Sequence, residues 1–221
     1  MTRQFVVLGM HRSGTSLTAS ILDALGVNMG DKMLGAMVGN KYGHFESVEF
    51  LELNMEILEA AGGDWHHPPE KEEILDVEPM FHDRIRLLVS KYNQDNDKWG
   101  WKDPRTCLTI PLFHKHLSDP TYIVTRRDPD AIAYSLFRRH EPVYEFQPTH
   151  WYVDHWATLA HEYNVRIAKF LNSLGLPAHS VSFETIMDRR RAHNEINALA
   201  DLVDVRPKAV RNAFHRVRFS K

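Results

Sequence analysis

The chain has 221 residues, enough for one α/β domain with a full core and short for two. Its 43% hydrophobic and 25% charged residues are ordinary for a soluble globular protein, and a net charge of −2 argues against a general nucleic-acid binder. A single cysteine, Cys107, excludes an intrachain disulfide framework, and no segment approaches the roughly 20 apolar residues of a membrane span, so a reducing, cytoplasmic location is the expectation.

Phe5-Val6-Val7-Leu8 reads as a buried strand, too short for the core of a signal peptide. Gly9 to Gly14 follows as a loop, and Leu17, Ile21, Leu22 and Leu25 then recur at helical spacing up to Gly26. Gly30 to Gly43, rich in glycine and methionine, has no period and reads as a loop. Val48, Leu51, Met55 and Leu58 mark one helix face, which closes at Gly62-Gly63. His66-His67-Pro68-Pro69 interrupts the chain before a helix carrying Phe81, Ile85, Leu88 and Tyr92.

Lys98 to Lys102 predicts a short strand that runs into Asp103-Pro104-Arg105, and Tyr122 to Thr125 a stronger one. Asp128 is placed to cap the next helix, with Pro129 at its first position. Trp156, Ala160, Tyr163, Ile167, Phe170 and Leu174 define a long amphipathic helix; Ser180 to Phe183 reads as a further strand, and the remainder as helical. This alternation predicts an α/β fold of three layers, a central, mostly parallel sheet flanked by helices, in one domain over residues 1–221.

The segment Gly9-Met10-His11-Arg12-Ser13-Gly14-Thr15-Ser16 lies between a strand and a helix. Such a loop presents backbone N–H groups, and the helix dipole favours negative charge there. Nucleotide triphosphatases use the form G-x-x-x-x-G-K-[ST]. Here Gly9, Gly14 and Ser16 fit, but Thr15 holds the lysine position and the cation is Arg12, inside the loop. A phosphosulfate needs a cation in that place and no metal bridge.

Arg12-Ser13-Gly14-Thr15 resembles the basic-Ser-Gly-Thr loop of sulfotransferases that use 3′-phosphoadenosine-5′-phosphosulfate (PAPS), in its bacterial and Golgi-type form. Leu17 stands where many cytosolic members have tryptophan. The resemblance implies a P-loop-like fold and a loop in which His11, Arg12, Ser13, Gly14, Thr15 and Ser16 hold the donor's 5′ side. It also implies a second signature, an arginine after a strand and a serine eight positions on. Arg127 and Ser135 match, with Arg126 as rival, and would grip the 3′-phosphate; a planar guanidinium suits that contact.

Trp99-Gly100-Trp101-Lys102-Asp103-Pro104-Arg105 resembles the family's Lys-Asp-Pro-Arg segment, which implies Lys102 beside the transferred group. The catalytic histidine of cytosolic members is absent from this segment. In Gly43-His44-Phe45-Glu46, which resembles a glycine–aromatic–glutamate segment of non-cytosolic members, Glu46 is the first candidate for the general base. Glu46 also reads as a residue of the next helix's first turn; His44 and Asp103 are the other candidate bases, and Asp103 could instead pair with Arg105 to fix a turn.

The reaction implied is in-line transfer of a sulfuryl group from PAPS to a hydroxyl or amine, leaving adenosine 3′,5′-bisphosphate (PAP), with Arg12 and Lys102 stabilising the departing oxygen. Saccharide, lipid headgroup, peptide tyrosine and small natural product all fit as acceptors. A Mg·ATP phosphotransferase of the same fold and a PAP-binding module without catalysis are the competing readings. Among 14 histidines the closest sets are His66-His67, His114-x-His116 and His150 with His155, without the cysteine support or the helical pairing of a zinc motif, so no metal is expected. Trp151 and Trp156 are candidates for an acceptor cleft or for the core, and the basic ending Arg216 to Lys221 for a further phosphate contact or a solvated tail.

Overall fold

The computed structural model describes residues 2–35, 44–140, 149–205 and 207–217. Part of the loop read from Gly30 to Gly43 (36–43), residues 141–148 and the end of the basic tail (218–221) lie outside them. In chain order the elements are β1 (Arg3–Leu8), α1 (Thr15–Ala24), α2 (Val48–Ala60), α3 (Lys71–Asp76), α4 (Glu78–Asp95), β2 (Lys98–Lys102), α5 (Thr106–His114) and β3 (Pro120–Arg126). There follow α6 (Pro129–His140), α7 (Thr149–Ser173), β4 (Ala178–Ser182), α8 (Phe183–Met187), α9 (Ala192–Val203) and α10 (Pro207–Phe214).

The four strands form one parallel sheet in the order β2-β1-β3-β4. Alternate side chains go to opposite faces, as strand geometry requires. Val6, Leu8, Trp99, Trp101, Tyr122 and Val124 pack under α2 to α7, whereas Phe5, Val7, Ile123 and Val181 pack against α1, α8, α9 and α10. The result is the expected layering of helices, sheet and helices. Phe50 of α2 stacks on Trp101, 4.6 Å between ring centres and 9° between planes, so the tryptophans of β2 form the centre of the larger core.

Two helix signals hold in detail. The Asp128 carboxylate accepts the Ala131 N–H at 2.9 Å, capping α6 one residue before Pro129. Gly26, at φ 92°, closes α1. Two others differ. Helix α2 begins at Val48 with Ser47 as its N-cap, so Glu46 lies outside the first turn. Its buried residues are Phe50, Leu53, Asn54, Ile57 and Leu58, while Met55 is 52% exposed. The period marked by Leu51 and Met55 therefore belongs to a second apolar stripe, beside the core-facing one. The predicted last strand also ends one residue early, because Phe183 turns into α8.

The sheet order fixes where a ligand can reach the backbone. From β1 the chain leaves towards β2, on one side of it; β3 lies on the other side and leads on to β4. The loops after β1 and β3 thus diverge, opening a crevice at their carboxyl ends. Among the described residues no helix is long and apolar enough to cross a membrane.

Cys107 ties this crevice to α5. The Gly9 N–H donates to its Sγ at 3.1 Å, and burial pushes the thiol up to about 12. The thiolate is the reactive form, so an Ellman titration at pH 8 is expected to label no cysteine in the native protein and one equivalent in urea.

Candidate active site

Residues 9 to 16 cover the carboxyl end of β1. Gly9 (φ 156°), Arg12 (φ 67°) and Gly14 (φ 100°) have positive φ, and the two left-handed residues, Arg12 and Gly14, fold the chain into a concave run of amides ahead of α1. A side chain at Gly14 would have its Cβ 2.7 Å from the Phe183 ring, so the second glycine is required by space as well as by conformation. The Ser13 hydroxyl donates to Met10 O at 2.7 Å and lies 2.7 Å from Thr125 Oγ1, pinning the loop to β3. Helix α1 has no side-chain cap and no acid in its first turn, which leaves its positive end open to an anion.

The two arginines read from separate motifs come together here. Arg127 Nη1 donates to Arg12 O at 2.8 Å, and Arg12 Nε donates to Ser135 Oγ at 2.9 Å. Arg126 turns the other way, donating to Ser180 Oγ at 3.0 Å beside β4. The Arg127 guanidinium lies 4.4 Å over the Phe183 ring, and its Nε is buried without a hydrogen-bond partner among the described residues. Burial, then the repulsion of Arg139, Arg127 and Arg138, pushes the Arg12 guanidinium down. Among the described residues neither Arg12 nor Arg127 has a salt bridge, so the crevice carries positive charge that an anionic ligand would neutralise.

Beyond the loop, β2 delivers Lys102. Its ammonium is 1% exposed and donates to Glu46 Oε1 at 2.6 Å and to Ser16 Oγ at 3.3 Å. Burial pushes Lys102 down, and the charge of Glu46 opposes that shift. Ser16 Oγ in turn donates to His44 O at 3.0 Å, tying α1 to the segment that carries Glu46. Phe45, at φ 51°, is the left-handed residue that turns Glu46 inward.

Asp103 is fully buried and committed to structure. Its Oδ1 accepts from the Arg105 amide at 3.1 Å and from Arg105 Nη1 at 2.9 Å, and its Oδ2 accepts from Asn54 Nδ2 at 2.9 Å. Desolvation raises its carboxyl, which Arg105 counters.

A cleft of about 260 Å³ opens over Glu46, with His11, His44, Arg105 and Arg139 on its walls and Leu34, Leu51 and Met55 as its apolar part. Burial lowers His44, and burial with the charges of Arg105 and Lys102 lowers His11 well below the usual range, so both imidazoles are neutral at pH 7. The Nε2 atoms of both are buried without partners among the described residues. The His11 ring rests on Trp65, 4.3 Å between centres, and Trp65 stacks on Trp156. Trp156 is thus core at 4% exposed, whereas Trp151 is 53% exposed.

Sequence reasoning passed over four contributors: Arg139, Asn54, Thr125 and Phe183. Arg139 stands one turn after Ser135 on α6, a helical spacing that could have flagged it. The other three act through contacts that no local pattern records.

The buried Lys102–Glu46 pair is expected to show strong coupling. Lys102→Met leaves a buried carboxylate without its counter-ion and should cost about 3–5 kcal/mol in urea denaturation, while Lys102→Met with Glu46→Gln recovers most of the loss.

Residues 4–205 match the model of the Sulfotransferase family. No curated protein matches the chain in sequence. Solved structures that share its fold include three sulfotransferases. The sulfotransferase domain from the Synechococcus PCC 7002 olefin synthase has a TM-score of 0.57 at 13% identity, over 96% of this chain and 77% of that one. The sulfotransferase domain from the curacin biosynthetic pathway has a TM-score of 0.56 at 16% identity, over 96% and 78%. Sulfotransferase STF1 from Mycobacterium tuberculosis H37Rv has a TM-score of 0.52 at 12% identity, over 100% and 72%. The family match spans nearly the whole chain and agrees with the motifs that pointed to it: this protein belongs to the Sulfotransferase family.

Proposed function

We propose that the chain, as one sulfotransferase domain, transfers the sulfuryl group of PAPS to an acceptor hydroxyl or amine. The observation that carries this reading is the meeting of Arg12, Arg127 and Ser135, drawn from two distant motifs into one crevice with no balancing salt bridge among the described residues. A phosphosulfate fits the residues present. The open amides of the loop and of α1 would hold the 5′ side. Arg127, with an unused buried Nε, and Ser135, whose hydroxyl accepts from Arg12 and keeps its own proton to donate, would hold the 3′-phosphate.

The donor, when bound, supplies an activated sulfuryl group. Glu46 takes the acceptor's proton as the new bond to sulfur forms and the bond from sulfur to the bridging oxygen breaks. Lys102 pairs with Glu46 and fixes its orientation. An ammonium has three N–H donors; Glu46 and Ser16 take two, and the third is left to stabilise the departing oxygen together with Arg12. Neutral His44, with a free buried Nε2, is the second candidate base, and Asp103 holds the turn that presents Lys102. Leu34, Leu51 and Met55 favour an acceptor that brings apolar surface beside its nucleophile.

Selective thermal stabilisation by PAP over ADP and Mg·ATP tests donor identity. A ligand at a hundred times its dissociation constant adds about 2.7 kcal/mol, so the shift is well within reach of measurement. Arg127→Ala should weaken PAP far more than adenosine 5′-phosphosulfate, which lacks the 3′-phosphate; equal losses would contradict the assignment.

Glu46→Gln should keep PAP binding and lower turnover by roughly 10²- to 10⁴-fold. Unchanged turnover in Glu46→Gln with a loss in His44→Asn would transfer the base to His44. A chain that binds PAP but turns over no acceptor would be a binding module.

A further inference from the structure

Among the described residues none of the histidine pairs visible in the sequence forms a set of three close donor atoms, but another group does. His114 is taken by β3, its Nδ1 lying 2.8 Å from the Tyr122 hydroxyl. His116, in the turn after α5, instead meets α4. Glu78 and His82 lie four residues apart on that helix, hence on one face. One donor atom each from Glu78, His82 and His116 fall within 4.8 Å of one another. His82 Nδ1 is 3.0 Å from Glu78 Oε1, and the His82 and His116 rings meet edge-on with centres 4.7 Å apart. His116 Nε2 is buried and has no hydrogen-bond partner among the described residues.

We propose that Glu78, His82 and His116 bind a divalent transition metal, zinc foremost, which fastens the start of α4 to the far end of α5.

The donor set selects the class of ion. Two imidazole nitrogens and one carboxylate oxygen suit zinc and its neighbours, with water completing a tetrahedron, whereas calcium and magnesium call for oxygen throughout. The distances agree. Donors at about 2.0–2.2 Å on a tetrahedral zinc stand about 3.4 Å apart, so the Glu78–His82 pair at 3.0 Å is nearly in place and His116, within 4.8 Å, need close by no more than about 1.4 Å.

Lys115 Nζ lies 3.5 Å from Glu78 Oε2. It engages the carboxylate oxygen that does not face His82 and so orients the other.

The location separates this site from the sulfuryl-transfer chemistry. Helix α5 starts beside Lys102 and runs back along the sheet for nine residues, about 13 Å, so His116 stands at the opposite end from the phosphate loop. The ion would brace the scaffold and touch neither donor nor acceptor.

The test is calorimetric titration of chelator-treated protein with Zn²⁺ alone, together with the melting temperature with and without Zn²⁺. Wild type should bind one Zn²⁺ and melt higher, and His82→Gln and His116→Gln should each lose at least tenfold in affinity and most of the melting shift. His67→Gln, at an exposed histidine outside the set, should behave as wild type. PAP stabilisation should be the same with and without the metal, so failure here and failure of the sulfotransfer reading are read separately. No binding by wild type, or equal affinity in His82→Gln, overturns the proposal. The His82 side chain is 49% exposed, so that variant folds and decides the matter even if His116→Gln does not.

Discussion

An ammonium cannot be buried in this fold without a carboxylate to meet it, and the meeting of Lys102 with Glu46 organises the candidate site. Lys102 is the last residue of β2, paired in register with Val7, and its side chain is shut away beneath α1. The desolvation cost of that charge is offset only if an acid is brought in from elsewhere. Glu46 arrives from a non-helical segment, turned inward at Phe45 and tied to α1 through Ser16. The pair therefore sets the position of the chain entering α2, and with it the apolar residues Leu51 and Met55 at the cleft.

The same reasoning applies with opposite sign a few ångströms away. Arg12 and Arg127 are brought close without a salt bridge to either among the described residues, at the divergence of the loops after β1 and β3. Like charges held together raise the energy of the unliganded protein and lower it when an anion enters. Sheet order, the open helix end and the two guanidinium groups converge on one crevice.

Much of this was legible in the sequence because it depends on local rules. The run Phe5 to Leu8, the glycines around Arg12, the strand before Arg127 and the Asp128-Pro129 cap each act within a few residues of themselves. What was not legible depends on distance. Helix α2 carries two apolar stripes, one for the core and one for the cleft, and a single period cannot tell which is which. Glu46 sits two residues before its helix because a partner far along the chain draws it inward. Asn54 braces Asp103 across a gap of 49 residues, and His82 meets His116 only when two helices are laid side by side.

Phe183 touches both halves of the crevice. Its ring is the surface that forbids a side chain at Gly14 and also the plate on which the Arg127 guanidinium lies. One ring thus meets the Gly14 turn of the loop and the Arg127 guanidinium at once, beside the direct bond from Arg127 to Arg12 O. The junction of β4 with α8, which places that ring, acts as the calliper of the crevice: whatever shifts it moves the Gly14 turn and the Arg127 guanidinium together.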